Sequence, residues 1–194
     1  MSLKKCVPLL ALTCLFAACE ASHDDKDGKS SMDSAKAEKM ETLKKENLSV
    51  LTDKINQKST ELMAMLKDKN PDLHEDLTEA MKAFNKGDIE EALDEFKEVY
   101  QGHVTTDQME VAKDIASNMQ IFALESEFKA TDGPVGQAIG SIRNQDHAQA
   151  LKSLQDILKK GQLSSKQKDI VEEIMKYYTE STHVMEDSLK SFGL

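Results

Sequence analysis

Tryptophan is absent from this 194-residue chain, and tyrosine (3), phenylalanine (6), proline (3) and glycine (8) are all scarce. A sheet protein needs more aromatic strand formers and more turn residues than this, so the shortage argues against one. Cysteine is confined to Cys6, Cys14 and Cys19. Nothing after residue 19 can therefore form a disulfide within the chain or a thiolate metal site. Positive charge is also short: the formal net charge is −10 and no basic stripe interrupts it, which excludes a nucleic-acid partner. The one apolar run, residues 7–18, holds about a dozen residues and is too short to span a hydrocarbon core of roughly 30 Å. What remains is rich in Lys, Glu, Leu, Ala, Met and Gln. Those are helix formers, and the expected class is all-α.

The apolar run has the length of a signal-peptide core. Lys4 and Lys5 precede it and the small residues Ala17 and Ala18 close it, so residues 1–18 read as a cleaved signal. Phe16-Ala17-Ala18-Cys19 resembles the lipobox of bacterial lipoproteins, with Phe16 standing where that family usually has Leu. The resemblance implies a diacylglyceryl group on the Cys19 sulfur, cleavage between Ala18 and Cys19, and an acyl (palmitate-type) chain on the new amino terminus. One acyl chain anchors marginally and two anchor stably, so the implied partner is the membrane, reached through the N-terminal lipid. The implied location is the bacterial cell envelope. Glu20 stands where enterobacterial lipoproteins retained in the inner membrane carry Asp, which points to the outer membrane. Which face of it the chain occupies is left open.

Residues 19–34 contain almost no large apolar side chain and read as a solvated acidic tether, with Asp24, Asp25 and Asp27 close to the anchor. From residue 35 to 70 the chain has no Gly or Pro. Met40, Leu43, Leu48, Leu51, Ile55, Leu62 and Leu66 recur at helical spacing, predicting one long helix. Asn70-Pro71 ends it, Asn70 as cap and Pro71 as the first residue of the next helix.

The remainder repeats itself. KGDIEEALDEFKEVYQ (86–101) aligns with NQDHAQALKSLQDILK (144–159), pairing Asp88 with Asp146, Ala92 with Ala150, Leu93 with Leu151 and Phe96 with Leu154. After a one-residue shift, 102–115 aligns with 161–174. Capping boxes are predicted at Asp88/Glu91, Asp146/Gln149, Thr105/Gln108 and Ser164/Gln167, and helix ends at Gly102 and Gly161. Each copy then reads as three helices, at 71–86, 88–101 and 105–128 in unit one (71–130) and at 134–144, 146–160 and 164–190 in unit two (131–194). The Ala-Leu-Phe face of the short helix is the expected core, with Lys97 on the opposite face. Gly87, Asp88, Ala92, Leu93 and Phe96 resemble the turn and second helix of a tetratricopeptide repeat, although the spacing of 58 residues departs from that family's 34. The resemblance implies a helical scaffold that grips protein segments.

No catalytic constellation is apparent. His23, His74, His103, His147 and His183 never fall three or four residues apart, so metal spacing on one helix is missing. Glu90-Glu91 and Glu172-Glu173 are adjacent, and adjacent residues on a helix do not face each other. The glycines of Gly133-Pro-Val-Gly136-Gln-Ala-Ile-Gly140 lack a Gly-Lys-Ser/Thr ending and read as close helix packing. Met63, Met65, Met81 and Met119 read as core filling. The expectation is a non-enzymatic, cofactor-free scaffold binding an envelope protein or peptide. The alternative is a small-ligand carrier or an enzyme of unrecognised type in the same compartment.

Overall fold

The computed structural model describes residues 29–129, 132–160 and 162–191, with side chains from Glu38 to Thr179 except at positions 130, 131, 160 and 161. The chain divides into two units, Met1–Glu38 and Lys39–Leu194. Of the first, only the opening turns of one helix are described, and everything below concerns the second. The signal, Cys19 and the tether up to residue 28 lie outside the described residues, as does Gly161.

The architecture is all-α. Among the described residues there are seven helices and no strand: α1 Lys29–Leu66, α2 Pro71–Lys86, α3 Ile89–Gln101, α4 Thr106–Glu127, α5 Gly133–Arg143, α6 His147–Lys160 and α7 Ser165–Ser191. One long helix is followed by two three-helix sets, α2–α4 and α5–α7. Within each set the neighbours pack in chain order, and α4 and α3 both meet α7.

The repeat is written into the backbone. At the end of α2 the Gly87 N–H donates to Phe84 O (3.0 Å) and the Asp88 N–H to Ala83 O (3.1 Å). At the end of α5 the Gln145 N–H donates to Ile142 O (3.1 Å) and the Asp146 N–H to Ser141 O (2.9 Å). Both are Schellman turns, and corresponding residues lie at one constant offset. The helix starts repeat as well. Thr105 and Gln108 form a complete reciprocal box on α4. Ser164 and Gln167 form another on α7: the Ser164 N–H donates to Gln167 Oε1 (3.1 Å), and the Gln167 N–H to Ser164 Oγ (3.2 Å).

In both copies the glutamine of the box has a further partner. Gln108 Nε2 donates to Met65 O at the end of α1 (3.0 Å), and Gln167 Nε2 to Glu127 O at the end of α4 (2.8 Å). Each unit is thereby pinned to the C-terminal end of the helix before it, and α4 serves as last helix of one unit and platform for the next. At the other end of α4, Lys44 Nζ of α1 donates to Phe128 O (3.1 Å). Lysine there meets the negative end of the helix dipole. α1 and α4 thus run antiparallel over the whole length of α4.

That length explains a difference from the expected α1 stripe. Leu51, Ile55, Leu62 and Leu66 are buried, whereas Met40 and Leu43 are 58% and 51% exposed. They precede Lys44, which already reaches the end of α4, so the α1–α4 contact stops short of them. Two cap predictions also need correcting. Asp88 makes no side-chain cap bond; the Schellman turn already engages its N–H, and its side chain stays in solvent. Asp146 accepts from the Gln149 N–H (3.1 Å), but the Gln149 amide turns to Ser153 Oγ (3.4 Å) instead of closing the box.

The core runs through both three-helix sets. Ala92, Leu93, Phe96, Ala150 and Leu154 are fully buried, while Tyr100, Leu151 and Leu158 are half-buried against it. Met81 and Met119 are buried as core filling, and Met63 and Met65 pack on its edge. Gly102 abuts Leu73 so closely that a Cβ would lie 2.6 Å from a Leu73 methyl. Gly140 is different: a Cβ there would meet nothing within 4 Å, so close packing is not what a glycine at that position provides.

Candidate functional site: a polar groove around Gln145

The turn between α5 and α6 carries the one non-glycine residue with positive φ among the described residues, Gln145 at φ 57°. The equivalent position in the first unit is Gly87, at φ 83°. A side chain in the left-handed region costs roughly 1 kcal/mol, which glycine avoids. The second unit accepts that strain and places a glutamine amide on the surface. Gln145→Gly should therefore stabilise the chain by about 0.5–1 kcal/mol, read as a shift in denaturant midpoint at unchanged slope.

Gln145 is where three adjoining depressions meet. The first, about 410 Å³, runs between α1 and α4 to the end of α5, and Asn47, Lys54, Asp114, Asn118, Glu125 and Arg143 are among its lining residues. The second, about 480 Å³, lies over the start of α4 along Val104, Thr106, Met109, Glu110, Lys113 and Asp114. The third, about 110 Å³, is walled by Tyr100, Tyr177, Tyr178 and His147, with Lys113, Ser117 and Gln120 from α4. Asp114, Ser117 and Lys113 are shared pairwise, so the three form one groove along α4.

All three tyrosines of the chain gather on this wall. The ring of Tyr100 lies 5.5 Å from that of Tyr177, and the ring of His147 lies 5.3 Å from that of Tyr178. The Tyr177 hydroxyl donates to Leu93 O, tying α7 of the second unit to α3 of the first. The Tyr178 hydroxyl donates to Gln120 Oε1 (2.6 Å). Burial raises the pKa of all three phenols; for Tyr177 the nearby carboxylates of Glu173 and Asp94 push further in the same direction.

Behind the wall sits a cluster of charges. Lys97 Nζ lies 3.0 Å from Asp94 and 3.8 Å from Glu173, and Lys176 pairs with Glu173. The Lys97 hydrogen bond holds the Asp94 carboxyl below its usual range, and Glu173 raises the Lys176 ammonium. One sequence expectation is corrected here. Lys97 is not on a free face: its side chain is only 12% exposed, because α7 crosses α3 there. Glu173 is buried with Oε1 lacking a hydrogen-bond partner, while its neighbour Glu172 is exposed. The adjacent carboxylates do point apart.

The other residues singled out from the sequence do not converge. His74 and His103 stand apart on α2 and after α3, and only His147 reaches the groove; His23 and the side chain of His183 lie outside the described residues. Phe16, Ala17, Ala18 and Cys19, the lipobox and cleavage positions, lie outside them too. Among the described residues no group of three or more His, Cys, Asp or Glu is placed to hold a metal ion, and no helix is long and apolar enough to cross a membrane. Sequence reasoning missed Lys113, Asn118, Gln120 and Tyr178. It also passed over the signal at Gln145, a glutamine aligned with a turn glycine.

Fold and groove together define an all-α protein of tandem three-helix units with a polar surface channel at their junction. No known family, no curated protein and no solved structure matches the chain.

Proposed function

We propose that this chain is a bacterial envelope lipoprotein, anchored through acylated Cys19, whose tetratricopeptide-like helical body is a non-enzymatic scaffold for a protein segment or peptide. The groove along α4 carries the reading. It is continuous over three depressions, and its amides, hydroxyls and charges of both signs suit an extended backbone with mixed side chains. The lipobox-like Phe16-Ala17-Ala18-Cys19 supports a lipid anchor, Glu20 after it favours the outer membrane, and the polar residues that follow would let the body stand off the surface. The small third depression is the feature that favours the second reading, a carrier of a small ligand.

In-cell photo-cross-linking tests the proposal. A photoreactive residue at Asn118, in the groove, should give one discrete adduct in the membrane fraction, traceable to one segment of an envelope protein. The same residue at exposed Glu90 should give none. Cys19→Ala should move the chain to the soluble fraction and end labelling by a palmitate analogue. Equal adducts from both positions, or a Cys19→Ala chain that still labels and stays in membranes, would refute it.

A further inference from the structure

The 110 Å³ cavity behind Gln145 is built differently from the rest of the groove. The chain has a net charge of −10, and the two larger depressions contain Asp114 together with Glu125 or Glu110. No carboxylate lines the small one. Its one full charge is the ammonium of Lys113, which has no ion pair or hydrogen bond among the described residues.

Its other polar groups can all donate a hydrogen bond, and one of them can only donate. Gln120 is only 3% exposed, and its Oε1 is occupied by the Tyr178 hydroxyl. That contact engages the amide oxygen and leaves Nε2, with no partner among the described residues, as the donor Gln120 can offer to the cavity it lines. Ser117 Oγ is likewise unpartnered, and exposed Gln145, at its left-handed turn, adds an amide to the lining. The two buried tyrosine hydroxyls are already spent on Gln120 and Leu93. Ala116 and Ile142 supply an apolar wall.

We infer that this cavity binds a carboxylate on a short aliphatic stem, its oxygens taken by Lys113 and the Gln120 and Gln145 amides and its stem lying against Ile142. Planar amide donors and one cation match a planar monoanion, and charge-assisted hydrogen bonds give it preference over a neutral amide of the same shape. A phosphate dianion would ask for more positive charge than one lysine offers. The group can come from a free short-chain monocarboxylate or from an acidic side chain of a partner in the groove. The inference holds whichever it is, and it does not depend on the groove having a protein partner.

The chain reports on this site by itself. It has no tryptophan, and its three tyrosines all line the cavity, so intrinsic emission comes from these walls. The full chain in mild detergent is titrated with propionate, propionamide, inorganic phosphate and N-acetylglutamate N-methylamide, at ionic strength held constant with chloride. Side-chain amide signals of Gln120 are followed by NMR in parallel.

Propionate should change both readouts saturably, and propionamide should need at least about tenfold more. Lys113→Met should weaken propionate by about tenfold with the circular dichroism unchanged, because Lys113 is exposed and carries no core contact. A glutamate derivative that binds more tightly than propionate assigns the group to a partner side chain. One that binds more weakly assigns it to a free acid. Equal response to propionate and propionamide, tighter binding of phosphate, an unaffected Lys113→Met, or no saturable change in either readout would overturn the inference.

Discussion

Phe96→Ala should cost about 3–5 kcal/mol of stability and Leu154→Ala about 2–5 kcal/mol. Both side chains are fully buried, each on the short middle helix of its unit. α3 has 13 residues and α6 has 14, lengths at which an isolated helix is marginal in water. Packing must therefore hold them. Truncating the central knob removes its transfer free energy and leaves a cavity that the neighbouring helices fill only partly. Against a total of about 5–15 kcal/mol, either loss is large. Lys97→Ala is not the silent comparison that its place on the helix wheel suggests. It would leave buried Glu173 with Lys176 alone, and it should be measurably destabilising. Exposed Glu90→Ala is the proper control. Denaturant titration followed by helicity measures all four. If Phe96→Ala matches Glu90→Ala, the short helices are not held by this core.

The parts of this fold that were legible from sequence are those governed by neighbours along the chain. The Asn70 cap is one: its side chain accepts from the Leu73 N–H at 3.3 Å, with Pro71 next to it. The boxes at Thr105 and Ser164 formed as their residue types dictate. The copy alignment placed Gly87 and Gln145 at equivalent turns. Partners across the fold left no such trace. Periodicity says which face of α3 is apolar, but not that α7 arrives beside Lys97, 76 residues ahead of Glu173 in the chain. The stripe on α1 was read from Met40 onward because spacing does not reveal where the opposing helix stops. Asp88 shows the limit of local chemistry as well, since a turn motif that occupies the N–H leaves the predicted box unclosed. The groove was hidden for the same reason as Lys97. Lys113, Gln120, Gln145 and Tyr178 come from three separate segments, and none of them is unusual on its own helix. Only Gln145 carried a readable sign, a side chain at a position whose counterpart is glycine.

Raising the pH should unfold the chain cooperatively in a range where free phenols begin to ionise. Tyr100, Tyr177 and Tyr178 are held neutral by burial, so each has a folded pKa above its unfolded value of about 10. For a group shifted upward, the stabilisation is complete below the unfolded value and is lost as pH rises toward the folded one. Only between those two values does such a group lower the stability, by at most about 1.4 kcal/mol per pH unit. Lys176 acts in the same direction. Its ammonium is raised by Glu173, so its contribution is also present at neutral pH and lost in alkali. The absorbance of tyrosinate should therefore lag behind that of a free phenol and then rise in one step with the loss of helicity. Tyr177→Phe should move that step to higher pH, because one of the groups that drives it is gone. At neutral pH the same variant should cost about 0.5–1.5 kcal/mol for the hydrogen bond to Leu93 O. Tyrosinate that appears gradually near pH 10 with helicity intact would mean that the wall of the groove is open to water, and the burial of Tyr177 and Tyr178 would have to be abandoned.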